Sequence, residues 1–145
     1  MDNSFHYLMM INNTLFHKEI MCELIKAGLT PGQPKVLDYL AAHDGSMQKE
    51  IAAGTLTDEA TLTGIITKME KKGFIERRMK EGNRRTYYVY LTELGREKAE
   101  TVKCIFKEKE DKVLACLTES EKEEFIGLFK KIHNNMSGRG EINGC

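Results

Sequence analysis

The 145-residue chain has no excess of either charge: 22 lysines and arginines stand against 22 aspartates and glutamates. That balance excludes a protein held to its partners by bulk charge, and any electrostatic task falls to local placement. Long hydrophobic runs are also missing. Near the N-terminus the longest is Leu8 to Ile11, against the ~20 residues that a bilayer span needs. Asp2 stands where an export leader carries a basic cluster, so the expectation is a soluble, cytoplasmic protein without a membrane partner. Cys22, Cys104, Cys116 and Cys145 form no C-x-x-C pair, and the chain exceeds the disulfide-stapled scaffolds; reduced thiols are expected. His6, His17, His43 and His133 are scattered, with no metal-binding spacing. No phosphate-binding loop, dinucleotide fingerprint or Ser/His/Asp arrangement occurs, so neither an enzyme nor a cofactor is expected.

What is present is a concentration of positive charge. Between Lys71 and Thr92, Lys71, Lys72, Arg77, Arg78, Lys80, Arg84 and Arg85 face only Glu76 and Glu81. The signals around this run predict its architecture. A long first helix ends near Gly28. Thr30 as N-cap, Pro31 at the first helical position and Gln33 as the reaching side chain predict a second helix to about His43. Asp44-Gly45 reads as a turn, with Ser46 capping a short third helix that closes before Gly54. Thr57 or Asp58 caps a fourth, whose Leu62, Ile65, Ile66 and Met69 form an apolar stripe. Its other face, Ala60, Gly64, Thr67 and Lys71 flanked by Thr61, Thr63 and Lys68, is small, polar and finally basic. FIERR and TYYVYL read as two strands joined by MKEGNR, with Gly82-Asn83 at the tip. Thr92 caps a fifth helix to roughly Cys116, and Thr118 to Glu121 forms a capping box for a sixth. Residues 137–145 read as a disordered tail.

Helices followed by a basic hairpin describe a winged helix-turn-helix: a mainly α chain with a small β-hairpin wing. A helix enters the major groove closely only where its outer face lacks bulk, and threonine hydroxyls can donate to bases or phosphates. The expected contacts with double-stranded DNA are Gln48, Lys49, Ala60, Thr61, Thr63, Gly64, Thr67 and Lys68 from the helices. Lys80, Asn83, Arg84 and Arg85 join them from the wing, following phosphates or a narrow minor groove. Tyr87, Tyr88 and Tyr90 suit strand packing better than base stacking.

LTPGQPKVLDYL, QKEIA, TLTGIITKMEKKGFIERR and NRRTYYVYLTELGREKAE together resemble the multiple antibiotic resistance regulator (MarR) family, in order and spacing. The resemblance covers the chain to about Met136. It implies a homodimer held by the first, fifth and sixth helices, with 1–28 and 93–136 as the dimerisation region and 30–92 as the DNA-binding domain. It further implies a near-palindromic operator, repression, and release by a small-molecule effector or an oxidant. The exposed-looking Phe5, Leu8, Leu15, Phe16, Phe125, Leu128 and Phe129 exceed what so small a domain buries alone. An effector site between the dimer helices and the DNA-binding lobe would draw on Phe16, His17, Ile20, Tyr39 and His43. Relatives include thiol sensors, which makes Cys22, Cys104 and Cys116 a redox set. The plainer reading takes them as buried small hydrophobes. On one continuous helix Cys104 and Cys116 would lie ~18 Å apart, beyond the ~7 Å Cα reach of a disulfide. Three departures from the family pattern are Asn83 where an aspartate is usual, Gly64 where many relatives have a larger polar or basic residue, and AGTLTD before the fourth helix. A protein-interaction module with an acidic partner, or a primarily thiol-based regulator, stand as alternatives to the operator-binding reading.

Overall fold

The computed structural model describes residues 3–138, with the side chains of Asn83 and Arg84 outside the description. The elements run α1 (Phe5–Lys26), α2 (Gln33–Ala42), β1 (Ser46–Met47), α3 (Gln48–Thr55), α4 (Glu59–Lys71), β2 (Ile75–Lys80), β3 (Asn83–Leu91), α5 (Glu93–Val113), a 3-10 turn (Leu114–Cys116) and α6 (Glu119–Ser137). Two compact units divide the chain, Met1–Lys109 and Glu110–Cys145. No described helix is long and apolar enough to cross a membrane. Residues 139–145, most of the expected tail and with it Cys145, lie outside the described residues, and Ser137 closes α6.

In the first unit the core is built where the periodicity placed it. Leu62, Ile66 and Met69 of α4 are buried with Leu37 and Leu40 of α2, Ile51 of α3, Ile75 of β2 and Val89 of β3. From α5, Ala99 and Val102 join the same cluster, as do Ile20 and Leu24 of α1. The three short helices and the sheet thus share one interior, which fixes α4 while leaving its opposite side to solvent.

Several boundaries differ from expectation for local reasons. Gln33 does reach back to accept from the Thr30 amide at 3.1 Å. Yet Gly32 adopts φ +88, which no helix interior allows, so α2 starts at Gln33 with Pro34 in its first turn. Ser46 does not cap α3. It pairs with Val89, and Met47 pairs with Tyr88, which makes the sheet three-stranded in the order β1-β3-β2. The α3 N-terminus is closed instead by the Met47 amide donating to Glu50 Oε2 at 2.8 Å, and the helix continues through Gly54. The hairpin tip is Glu81-Gly82, and Asn83 already belongs to β3 opposite Lys80. Met79 pairs with Tyr87 and Lys80 with Asn83, so Arg84, Arg85 and Thr86 fall within a bulge on the β3 side.

The joints around the wing are polar. Arg77 of β2 grips Glu70 of α4 through both Nε–Oε2 at 3.0 Å and Nη2–Oε1 at 3.1 Å. That fork lowers the Glu70 pKa and raises that of Arg77. Lys72 Nζ donates to the Gly28 carbonyl at 2.9 Å and Lys98 Nζ to the Ala27 carbonyl at 2.7 Å; both serve the C-terminus of α1, where carbonyls lack helical partners. At the start of α5 the Thr92 side chain caps the Gly95 amide at 3.0 Å. Gly95 is required there, because a methyl would overlap the Phe74 carbonyl oxygen.

In the second unit, Thr118 and Glu121 form the expected capping box, with Thr118 N to Glu121 Oε2 at 2.8 Å and Glu121 N to Thr118 Oγ1 at 3.2 Å. α6 buries none of its residues. Phe125 and Phe129 stack at 5.7 Å between centroids, yet remain 46% and 40% exposed.

Candidate nucleic-acid interface

The outer side of α4 is open and low. Ala60, Thr61, Thr63, Gly64 and Lys68 are exposed and Thr67 half-buried, and nothing lies within 4 Å of where a Gly64 methyl would stand. Asp58 is the N-cap: its Oδ1 accepts from the Thr61 amide at 2.8 Å and its Oδ2 from the Thr61 hydroxyl at 2.7 Å. The hydroxyl, and the amide after it, hold the Asp58 carboxyl below its ordinary pKa.

All three threonine hydroxyl protons are spent inside the helix. Thr61 donates to Asp58, Thr63 to the Glu59 carbonyl and Thr67 to the Thr63 carbonyl, the last two each at 2.8 Å. The face therefore offers methyl groups and lone pairs, and the expectation that these hydroxyls act as donors is revised for the free chain. Donor capacity on this side comes from Gln48, whose Nε2 donates to Thr63 Oγ1 at 2.7 Å and so brings α3 and α4 together at the surface. The side chains of Lys49, Lys68 and Lys71 make no hydrogen bond or ion pair among the described residues.

On the wing, part of the basic run is structural. Arg77 is held by Glu70, Arg78 pairs with Glu76, and Lys72 binds carbonyl oxygens. Lys80 lies 4.2 Å from the Tyr88 ring centroid and Arg78 4.5 Å from that of Tyr90. The tyrosines thus hold cations across the sheet rather than forming a bare stacking surface. Arg85 is exposed and engaged in an interaction of its own. The side chains of Asn83 and Arg84 are outside the described residues.

Behind α4 lies a cavity of about 550 Å³. Phe16, His17 and Ile20 line it, as the sequence suggested, but Tyr39 and His43 do not. The Tyr39 ring occupies the space that Gly54 leaves, and the His43 ring packs against it, tilted by 35°, at 4.8 Å between centroids. Tyr39 thus faces α3, whereas the N-terminal end of α2 supplies Pro34 and Lys35 to the cavity. Asn13, Met21, Leu24, Pro31, Gly32, Thr57, Thr61, Ile65 and Phe106 complete the lining. Continuing the Phe16–Ile20 spacing to Leu24 would have found one of these. Thr61, expected at the DNA face alone, also borders this cavity.

Cys22, Cys104 and Cys116 are all free and exposed on the single chain, so the reading of them as buried hydrophobes is corrected. On α1 and α5 the buried positions are Ile20, Leu24, Gly95, Ala99 and Val102, and Cys22 and Cys104 fall on other faces. Among the described residues, no group of three or more His, Cys, Asp or Glu is placed to hold a metal ion.

Comparison with known proteins agrees with this geometry. The model of the MarR family matches residues 29–87. The HTH-type transcriptional regulator BilQ of Clostridium symbiosum is 33% identical over 132 residues, 91% of this chain and 92% of that protein. S. aureus MepR in its complex with DNA superposes with a TM-score of 0.83 at 25% identity, covering 94% of this chain and 100% of the other. A crystal structure of MarR gives a TM-score of 0.83 at 26% identity, with 94% of each chain covered. With its low-profile fourth helix and three-stranded winged sheet, the chain belongs to the MarR family and is a DNA-binding transcriptional regulator of the winged helix-turn-helix type.

Proposed function

We propose that the chain acts as a homodimeric repressor that occupies a pseudo-palindromic operator, with α4 in the major groove and the wing on the flanking backbone or minor groove. One observation carries this reading: from Ala60 to Thr67 no exposed residue on α4 is bulkier than threonine, and that surface adjoins a basic wing. Lysines 49, 68 and 71 are available to phosphates, while Gln48 and the α4 N-terminus supply hydrogen-bond donors. MepR, solved with DNA, supports the same docking.

Dimerisation is assigned to 1–28 and 93–136, and DNA reading to 30–92. Phe5, Leu8, Met10 and Leu15 of α1 and Phe125, Leu128 and Phe129 of α6 are each at least 40% exposed on the single chain. Apolar surface of that extent favours a second copy of the chain as its cover. The cavity behind α4 is the effector site, since Thr61 and Ile65 of the recognition helix form part of its wall. A ligand there acts only by favouring an α4 placement that DNA does not accept.

The test is selection from a duplex library in moderate salt. An inverted repeat with half-site centres about 34–36 Å apart, or a multiple of it, is expected for a dimer reading one face. Sequence-indifferent binding alone would instead favour the wing as a surface for an acidic protein partner. The exposed cysteines favour one secondary reading, a thiol response. It requires that oxidant weaken operator binding, that reductant restore it, and that Cys22→Ser abolish the effect.

A further inference from the structure

Leu56, in the turn between α3 and α4, is 87% exposed, more than any other large apolar side chain among the described residues. It is also the one described non-glycine residue with positive φ, at +50. Both features are unfavourable in the free chain. A branched side chain crowds its own backbone in the left-handed region, where glycine and asparagine are at ease, and an isobutyl group gains nothing from contact with water. The large apolar side chains left open on α1 and α6 belong to the surface assigned to a second copy, whereas Leu56 belongs to the 30–92 lobe.

The turn is held without the Leu56 side chain. Leu56 N donates to the Ala53 carbonyl at 3.3 Å and Thr57 N to the Ala52 carbonyl at 3.0 Å. The Thr55 carbonyl accepts from Lys35 Nζ at 3.4 Å and from Thr57 Oγ1 at 3.3 Å. None of these bonds uses the side chain at position 56, so glycine or asparagine there would keep them at less cost. A strained residue that its own surroundings do not require points to function.

Its position says which function. Two residues later Asp58 caps α4, so Leu56 stands at the N-terminal end of the recognition helix, the end whose residues meet base edges in a helix-turn-helix. Leu56 borders an open hollow whose charged residues are Lys49, Asp58 and Glu59. The Glu59 side chain makes no hydrogen bond or ion pair among the described residues. Two carboxylates against one cation disfavour a phosphate beside Leu56. Base edges suit the same surroundings, because a carboxylate accepts from the cytosine amino group and the apolar feature of the major groove is the thymine 5-methyl.

We propose that Leu56 is a base-reading residue: on the operator its isobutyl group packs against the 5-methyl of one thymine in each half-site, next to the bases that α4 meets. This rests on the operator reading above and adds to it a residue outside α4 and the chemical group that it recognises.

The probe is the duplex recovered by library selection, with each thymine replaced in turn by uracil, which keeps the base pairing and lacks only the methyl. Affinity of the full chain is read by fluorescence anisotropy. At one thymine in each half-site, uracil should weaken wild-type binding by about fourfold, the value of burying one methyl group. Leu56→Gly and Leu56→Asn should bind the unmodified duplex about fourfold more weakly per half-site and lose nothing further with uracil at that position, the non-additivity of a direct contact. Leu56→Met should retain the response to uracil. Leu56→Gly should also resist urea better than the wild type, and damage to the fold would not combine higher stability with weaker binding. Variants that bind as the wild type does, or that still lose affinity with uracil at every sensitive position, would overturn the proposal. Weakened variants on a duplex with no uracil-sensitive thymine would overturn the methyl contact and move Leu56 to deoxyribose. Selection that returned no preferred sequence would end the operator reading and this inference with it, whereas a selected operator indifferent to Leu56 would overturn this inference alone.

Discussion

Adding one methyl group at each of two glycines should move stability in opposite directions. At Gly64, on the exposed side of α4, nothing lies within 4 Å of the new methyl, so Gly64→Ala gains about 0.8–1.0 kcal/mol of helix propensity. At Gly95 the methyl overlaps the Phe74 carbonyl oxygen, which is rigid backbone and already accepts from the Thr92 amide at 3.1 Å. Overpacking costs about 1–3 kcal/mol and the strained hydrogen bond about 1 kcal/mol, offset by less than about 1 kcal/mol of propensity. The net loss is about 2–3 kcal/mol, because the first turn of α5 must lift away from the β2 entry. At roughly 2–4 °C per kcal/mol for a chain near this length, Gly95→Ala should melt roughly 5–10 °C lower and Gly64→Ala roughly 2–4 °C higher. Thermal melting at one fixed protein concentration is the assay, since the proposed dimer would make apparent stability depend on concentration. Shifts in the same direction would refute the placement of one of the two helices. The more stable Gly64→Ala should still bind duplex differently, because its methyl stands on the proposed groove face.

Three other perturbations follow from the same geometry. Leu56→Gly removes left-handed strain of about 1–2 kcal/mol and gives back roughly 0.5–1 kcal/mol in chain entropy, so urea unfolding should show a net gain of about 0.5–1 kcal/mol; a loss would mean the side chain packs. Glu70→Gln should cost about 0.5 kcal/mol at pH 7, after allowing for solvent screening of the partly exposed Arg77 fork. Because Arg77 lowers the Glu70 pKa from 4.5, the wild-type contribution is complete above that value and is lost as pH falls through the lowered one. The gap between wild type and variant must therefore close on acidification, and a widening gap would contradict the fork. Replacing Phe125 and Phe129 together by serine should shift sedimentation from dimer toward monomer, and an unchanged coefficient would place the pairing surface elsewhere.

What was legible in the sequence was whatever local chemistry decides. The α4 stripe, the Asp58 cap, the Thr118–Glu121 box and the Thr92 cap all depend on residues within four positions of one another, and each is found. Misread features depended on distant partners. Ser46 is an acceptable helix cap by composition, and only the presence of Val89 across the sheet makes it a strand. Tyr39 and His43 have the polar-tipped aromatic character of a binding site, yet Gly54, fifteen positions along from Tyr39, gives the ring its place. The contact of Lys35 with Thr55 carried no signal either, because it joins residues twenty positions apart. The cysteines were misjudged because burial on a charged helix depends on which face meets the core.

The basic run itself overstates the charge available to DNA. Of Lys71, Lys72, Arg77, Arg78, Lys80, Arg84 and Arg85, three have named structural partners: Lys72 the Gly28 carbonyl, Arg77 Glu70, and Arg78 Glu76. The Lys71 side chain makes no hydrogen bond or ion pair among the described residues, Lys80 shares its cation with Tyr88, Arg85 is engaged in an interaction of its own, and the Arg84 side chain lies outside the described residues. If this run supplied every phosphate contact and Lys72, Arg77 and Arg78 kept their partners on DNA, the other four cations would give about eight contacts per dimer and a slope of log affinity against log salt near −7; all seven would give about fourteen contacts and a slope near −13. Lys49 and Lys68 add to either figure equally, so the difference of about 5 units between the two cases survives. The diagnostic variants are Arg85→Ala, which should flatten the slope by about one unit per chain, and Arg78→Ala, which should leave it unchanged. A slope that responded to Arg78 as strongly as to Arg85 would mean that the Glu76 pair opens on DNA, and that the neutral balance of the free chain conceals a wing more basic than its ion pairs suggest.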